Sequence, residues 1–302
     1  MADQPMAGYR VLAAHAHPDD EALFTGGTLA QLREQGADVK VATATLGECG
    51  EVIGTRYQGL VAELGDGLGG LRLREWEDSL AELQVSGEFL GGLGRFRDSG
   101  MAGSESHRDQ RALVNNLDSA IAAMAELFDV FRPHIVLTYG PDGGYGHPDH
   151  IAVHQAVHGA LERSSWTPRR VWWSILERQG HFEALAAMEP PRGWMQPPAD
   201  YLRNFTNEGA DLDFVLGDAA MAAKRRAMAA HPTQIWLADG TTTPTNPQPA
   251  WAVCQQPELA PWAYALSNLY LMPILRSEHY QLGWGEMPEN ASLVGGIDRD
   301  DE

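Results

Sequence analysis

The sequence has little cysteine and few cations. Only Cys49 and Cys254 occur in 302 residues. That is too few, and too far apart, for a disulfide framework, and it fits a reducing cytoplasm. Lys and Arg total 22 against 41 Asp and Glu, a formal net charge of -19. A phosphate backbone is bound by clustered cations, so no nucleic acid is expected as a partner. No uncharged apolar run approaches the ~18 residues that span a bilayer, so no membrane association is expected either. The start, MADQPMAGYR, lacks the basic and then apolar stretch of a signal peptide. Nothing in the sequence sets an oligomeric state.

Hydrophobic residues make up 44% of the chain, enough for a sizeable core. YRVLAAHA (9–16) reads as a buried strand, followed by a helix from about Asp20 to Gln35 that Gly36 stops. VKVATATL (39–46) reads as a second strand, IVLTY (135–139) as a third and RVWWSIL (170–176) as a fourth. Helical patterns cover 72–84, 109–131 and 150–163. The alternation predicts an α/β fold, Rossmann-like, with a mostly parallel sheet flanked by helices. After 176 the character changes. Residues 188–215 are rich in Pro and loops, 218–230 form an Ala/Lys/Arg helix, 258–272 read as a short helix, and the tail GGIDRDDE is expected to be mobile. The division expected is a Rossmann-like catalytic portion over 7–176 and a mixed α/β C-terminal portion over 177–302 that caps the site.

In open α/β sheets ligands bind beyond the carboxyl ends of the strands. HAHPDDE (15–21) stands at one such end and GYGHPDH (144–150) at another. His-Pro-Asp therefore occurs twice, each time where a strand delivers side chains to one crevice. Imidazole and carboxylate together suit zinc or a similar divalent ion, and a catalytic site has three protein ligands plus water. His17, one carboxylate of Asp19 and Asp20, and one histidine of the second loop make such a set. The spare carboxylate then serves as general base. Either motif alone also reads as a turn in which Pro fixes φ and Asp caps a helix; two copies at two strand ends favour a metal. In the second loop His150 and His154 have the i, i+4 spacing of a zinc pair. His150 alone is preferred because it lies at the helix start, with His154 and His158 as ordinary helix residues.

These motifs resemble the LmbE/PIG-L family of metal-dependent N-deacetylases. LGECGEVIG (46–54), GGLR (69–72), GRFRDSGMAG (94–103), GGYGHPDH (143–150) and HPTQ (231–234) extend the likeness to the actinobacterial branch concerned with mycothiol. The resemblance spans about 8–280. It implies a cytoplasmic hydrolase that removes the acetyl group from a small-molecule N-acetylated amino-sugar inositol, N-acetylglucosaminyl-inositol, in mycothiol biosynthesis. It further implies Zn2+, or Fe2+ in the same place, held by His17, Asp20 and His150, with Asp19 as general base. Tyr145 and His147 would face the scissile amide, and Asp149 would orient a histidine. Glu51, Arg72, Asp98 and Met101 would contact sugar or inositol. Asp19 or His147 would protonate the leaving amine.

The chain departs from the family pattern at Cys49, where an acid is expected. A buried free Cys is usually inert. A sister amidase of mycothiol S-conjugates carries lysine seven residues after the first motif histidine; Phe24 stands there in this chain, which weakens that alternative. A noncatalytic binding module would have no use for the spare carboxylate. No GxGxxG follows the first strand, which weakens a nucleotide site. His231 reads as a satisfied helix-end histidine in preference to a pocket residue.

Overall fold

The computed structural model describes residues 4–290 and 292–300. Strand β1 (Arg10–His15) has both faces buried, which is why its apolar run does not alternate. Val11 and Ala13 pack into one hydrophobic layer, while Leu12 and Ala14 pack into the other. β1 pairs in parallel with β2 (Asp38–Thr43) on one side, and β2 with β3 (Ser86–Phe89). On its other side β1 pairs in parallel with β4 (Ile135–Tyr139), and β4 with β5 (Arg170–Ile175). Two later strands, β6 (Leu212–Val215) and β7 (Ser277–Gly285), complete the sheet in antiparallel sense, giving the order β3-β2-β1-β4-β5-β7-β6. The chain order reverses between β1 and β4, so the crevice beyond their carboxyl ends is the place where such sheets bind ligands. The two His-Pro-Asp loops flank that crevice.

Helices cover both faces. α1 (Asp20–Phe24), α2 (Gly26–Glu34) and α3 (Leu68–Leu83) are followed by α4 (Leu117–Phe131) and α5 (Pro148–Arg163). Beyond β5 come α6 (Arg178–Ala186), α7 (Ala199–Phe205) and α8 (Asp218–Ala229). α4 packs on α5 over one face of the sheet, and α8 packs on α2 and α3 over the other. Small antiparallel sheets, one of Met272–Ile274, Trp262–Ala265 and Trp236–Leu237 and one of Met188–Glu189 and Val253–Cys254, belong to the second half. No helix among the described residues is long and apolar enough to cross a membrane.

Several elements differ from the sequence reading. The helix expected over 20–35 is two helices broken at Thr25. Thr25 Oγ1 donates to Glu21 O, Lys224 Nζ takes Leu23 O, and the Glu278 carboxylate accepts the Gly27 and Thr28 N–H groups. Side chains from the second half thus satisfy the backbone groups that a break exposes. The helix expected from 109 begins at Leu117, because Asn115 and Asn116 amides hydrogen-bond nearby carbonyls and hold 109–116 in turns. Residues 258–272 are not helical: Trp262–Ala265 is a strand, and Leu269 has φ 55°. The tail expected to be mobile is anchored at Ile297, while Asp298, Arg299 and Asp300 are exposed. Tyr9 Oη donates to Ile297 O, and Val294 and Ile297 are buried. Asp301 and Glu302 lie outside the described residues.

Candidate metal centre

The first loop folds back on itself at the end of β1. Asp20 Oδ2 accepts the His17 N–H at 2.8 Å and the Tyr139 hydroxyl at 2.6 Å. The Tyr139 oxygen accepts the Ala16 N–H at 2.8 Å, so the last residue of β4 pins the turn after β1. The second loop brings His150 across. Its Nε2 lies 3.5 Å from Asp20 Oδ1, and its ring stacks on Tyr139 at 4.1 Å. His17 Nδ1 lies 3.5 Å from Asp20 Oδ2. The side chains expected to hold a metal, His17, Asp20 and His150, therefore converge, and all three are buried.

The hydrogen bonds fix which atoms remain free. His150 Nδ1 meets the Gly143 carbonyl at 3.1 Å and must donate to it, so Nε2 keeps a lone pair. That Nε2 is buried and has no hydrogen-bond partner among the described residues. An orphaned acceptor beside a carboxylate is the feature a cation satisfies. His17 Nε2 faces Asp149 Oδ2 at 3.3 Å, which leaves Nδ1 toward Asp20. Asp149 Oδ2 also accepts the Ser99 N–H at 2.9 Å. Burial pushes His150 down to about 4, so it is neutral at ordinary pH. Burial opposes charge on His17 as well, but Asp98, Asp149 and Asp20 outweigh it and raise its pKa.

Two overlapping donor triples cluster within 4.8 Å: His17 with His147 and His150, and His17 with Asp98 and Asp149. His147 is the N-cap of α5, and its Nδ1 accepts the Asp149 N–H at 3.2 Å. A neutral imidazole that accepts at Nδ1 carries its proton on Nε2, so His147 presents a donor. Burial and the neighbouring His17 and His150 lower it to about 3, which keeps it neutral. Asp98 accepts the Cys49 N–H at 3.0 Å and the Gly100 N–H at 2.7 Å, while Asp149 Oδ1 is buried with no hydrogen-bond partner among the described residues. His17 belongs to both triples, and Asp20 lies 3.5 Å from an imidazole nitrogen of His17 and of His150, so the cluster offers imidazole and carboxylate donors suited to a divalent ion.

Asp19 stands beside this set with φ 109°, a positive-φ conformation that costs a residue bearing a Cβ about 1–3 kcal/mol. Arg72 accounts for it. Its guanidinium donates to the Gly47 and Pro18 carbonyls and lies 3.1 Å from Asp19 Oδ2. A Cβ at Gly47 (φ 63°) would fall 2.1 Å from Arg72 Nη1, so only glycine admits the guanidinium there. Burial, partly offset by Arg72, raises Asp19 to about 7. Arg72 was expected to touch substrate; it borders the cavity, yet its hydrogen bonds go to the protein.

The cavity over this cluster measures about 960 Å³. Tyr145, His147, Glu51, Asp98 and Met101 line it. Glu51 Oε2 accepts the Ser267 hydroxyl at 2.6 Å at the rim. Gln58, Tyr201, Asn204, Phe205, Gln234 and Asn268 also line it and were missed, since none lies in a motif with a ligand-binding pattern; Gln234, in HPTQ, carried the one available hint. Cys49 borders the cavity, where burial and Asp98 push its thiol up to about 11, which favours the protonated form. His154 and His158 are spent on the Tyr139 carbonyl and the Trp173 indole. His231 is fully buried and paired with Glu21 at 2.7 Å, outside the cavity wall.

Comparison with known proteins adds to this geometry. Residues 12–161 match the family model described as PIG-L, GlcNAc-PI de-N-acetylase. A Corynebacterium efficiens protein named 1D-myo-inositol 2-acetamido-2-deoxy-alpha-D-glucopyranoside deacetylase is 47% identical over 283 residues, 93% of this chain and 89% of its own. A protein of the same name from Mycobacterium sp. (strain KMS) is 42% identical over 276 residues, 90% of this chain and 83% of its own. Among solved structures, GalB, the 4-carboxy-2-hydroxymuconate hydratase of Pseudomonas putida KT2440, aligns with a TM-score of 0.50 at 15% identity. That alignment covers 94% of this chain and 100% of GalB, and the likeness is one of fold alone.

Proposed function

The chain belongs to the PIG-L family of de-N-acetylases, and on that premise we propose that it hydrolyses the acetamide of 1D-myo-inositol 2-acetamido-2-deoxy-α-D-glucopyranoside, the deacetylation step of mycothiol biosynthesis. The observation that carries the reading is the convergence of Asp20 and the unpartnered His150 Nε2 at 3.5 Å beneath the cavity, with Asp19 beside them. Two imidazoles and a carboxylate are donors suited to zinc, and iron(II) fits the same atoms. A divalent ion held by His17 Nδ1, Asp20 and His150 Nε2 supplies, when bound, Lewis acidity toward an amide oxygen and a lowered pKa for water. The two free cysteines stay reduced in the cytoplasm, where we place the enzyme.

The protein's own groups divide the remaining work. Arg72 occupies Asp19 Oδ2 and leaves Oδ1 to take the proton of the attacking water. The amide oxygen gains charge as the carbon becomes tetrahedral. His147 Nε2–H and the Tyr145 hydroxyl donate to it. Burial, with Asp20 and Asp19 nearby, holds the Tyr145 pKa well above its usual value, so the phenol keeps its proton. As the C–N bond breaks, Asp19 returns its proton to the nitrogen, giving acetate and the free amine. His147 is a poor candidate for that transfer, because its Nδ1 is occupied as an acceptor and the cation has no acceptor site. Asp149 holds His17 in the tautomer that leaves Nδ1 free.

The hydroxyls and amides around the rim (Gln58, Tyr201, Asn204, Ser267, Asn268) suit a polyol, which needs donors and acceptors together. Side-by-side turnover of the acetylated pseudodisaccharide and a bimane-type mycothiol S-conjugate tests the substrate. Release of acetate at the higher kcat/KM supports the deacetylase. Preference for the conjugate would replace it with the amidase reading.

A further inference from the structure

Tyr145 sits on a glycine-rich turn closed by main-chain bonds from Gly143 N–H to the Gly140 carbonyl and from Gly146 N–H to the Asp142 carbonyl. It lies in Gly143–Gly146, where Gly143, Gly144 and Gly146 have φ of 64°, 78° and 85°. A four-residue stretch with three such glycines has little intrinsic preference for one conformation. The side chain that the turn carries is packed from α7. The Tyr145 ring stacks on Phe205 with centroids 4.7 Å apart and planes at 14°. Phe205 stacks in turn on Tyr201 at 4.3 Å, and Tyr201 meets the edge of Tyr270 at 4.7 Å. The Tyr201 oxygen accepts the Asn268 amide at 2.8 Å, which anchors the far end of the column. The Tyr145 ring also meets the His150 ring nearly at right angles, with centroids 5.1 Å apart.

A polar tie runs parallel to the stack. Asp142 Oδ1 accepts the Gly144 N–H at 3.0 Å, and its Oδ2 accepts the Asn207 amide at 2.9 Å. Asn207 is itself fixed by main-chain bonds to Leu176 O and from Arg178 N, just beyond β5. The glycine-rich loop is thus held at its start by Asn207 and at its tip by Phe205. We propose that Phe205 is a positioning residue: its ring fixes the direction from which the Tyr145 hydroxyl enters the cavity. This rests on the role given to Tyr145 above.

The test uses the metal-loaded enzyme as Phe205→Ala, Phe205→Tyr, Tyr145→Phe and the double variant Phe205→Ala/Tyr145→Phe. Aromatic stacks are worth enough for removal of Phe205 to lower kcat by roughly five- to tenfold, with KM and bound metal little changed. Phe205→Tyr restores the rate. The double variant is no slower than Tyr145→Phe. In the substrate-free protein, hydrogen exchange at the Gly144 and Gly146 amides quickens in Phe205→Ala and returns in Phe205→Tyr. Losses that multiply in the double variant, or exchange unchanged by Phe205→Ala, would overturn the proposal. Full activity of Tyr145→Phe would instead remove the role given to Tyr145, and the exchange result would then judge Phe205 alone.

Discussion

Arg72 Nη2 lies 3.1 Å from Asp19 Oδ2 and holds that carboxylate at the cavity without closing off its second oxygen. The guanidinium also binds the Pro18 carbonyl, so one buried side chain sets both the turn and the base that the turn presents.

This arrangement separates proton transfer from metal retention. Asp19→Asn keeps the bond to Arg72 and the shape of the turn but cannot accept a proton. It is expected to retain stoichiometric metal and to lose about 10²–10⁴-fold in kcat, the range general bases supply. Metal content and acetate release measured on the same preparation check this. Loss of metal with the activity would make Asp19 a ligand.

In the proposed site Asp149 acts on the metal through His17, whose Nε2 lies 3.3 Å from its Oδ2. Asp149→Asn can present an amide N–H where His17 Nε2–H needs an acceptor, which disturbs the tautomer that leaves Nδ1 free. Metal affinity should fall about 10–100-fold, as for other partners of ligating histidines. Competition with a chelator of known affinity measures it. An unchanged affinity would show that Asp149 does not orient His17.

His181, on α6 and remote from the cavity wall, gives a pH dependence of stability. Its Nδ1 meets the Glu177 carbonyl at 2.7 Å, and burial lowers its pKa from 6.5 to about 4. Between those values the unfolded chain binds a proton that the folded one refuses. Stability is therefore complete above about pH 6.5 and falls as the pH drops toward 4, by up to about 1.4 kcal/mol per pH unit for this group. Urea midpoints of the metal-free protein at pH 7.5 and 5 should diverge less in His181→Asn than in the parent. Equal divergence would assign the acid sensitivity to other groups.

Much of this was legible in the sequence because the relevant signals are local. β1, β4 and β5 are apolar on both faces, and two His-Pro-Asp motifs stand at strand ends. What was illegible depends on distant partners. The break at Thr25 is stabilised by Lys224 and Glu278, from the far half of the chain. The strand at Trp262–Ala265 has a composition that suits a helix equally, and pairing with Met272–Ile274 and Trp236–Leu237 decides it. Phe205, Asn204 and Asn268 reach the cavity only through the packing of α7 and the loop after residue 265, so no spacing rule could find them. Arg72 was found but its contacts were not, because residue type does not say which carbonyls will lie within reach.

The most direct test of the metal-centred account is acetate release by enzyme stripped of metal, with residual metal measured by elemental analysis. Activity should fall in proportion to metal removed and return on adding one equivalent of zinc or iron(II), while His150→Ala should not recover. Full turnover by metal-free protein would contradict the account.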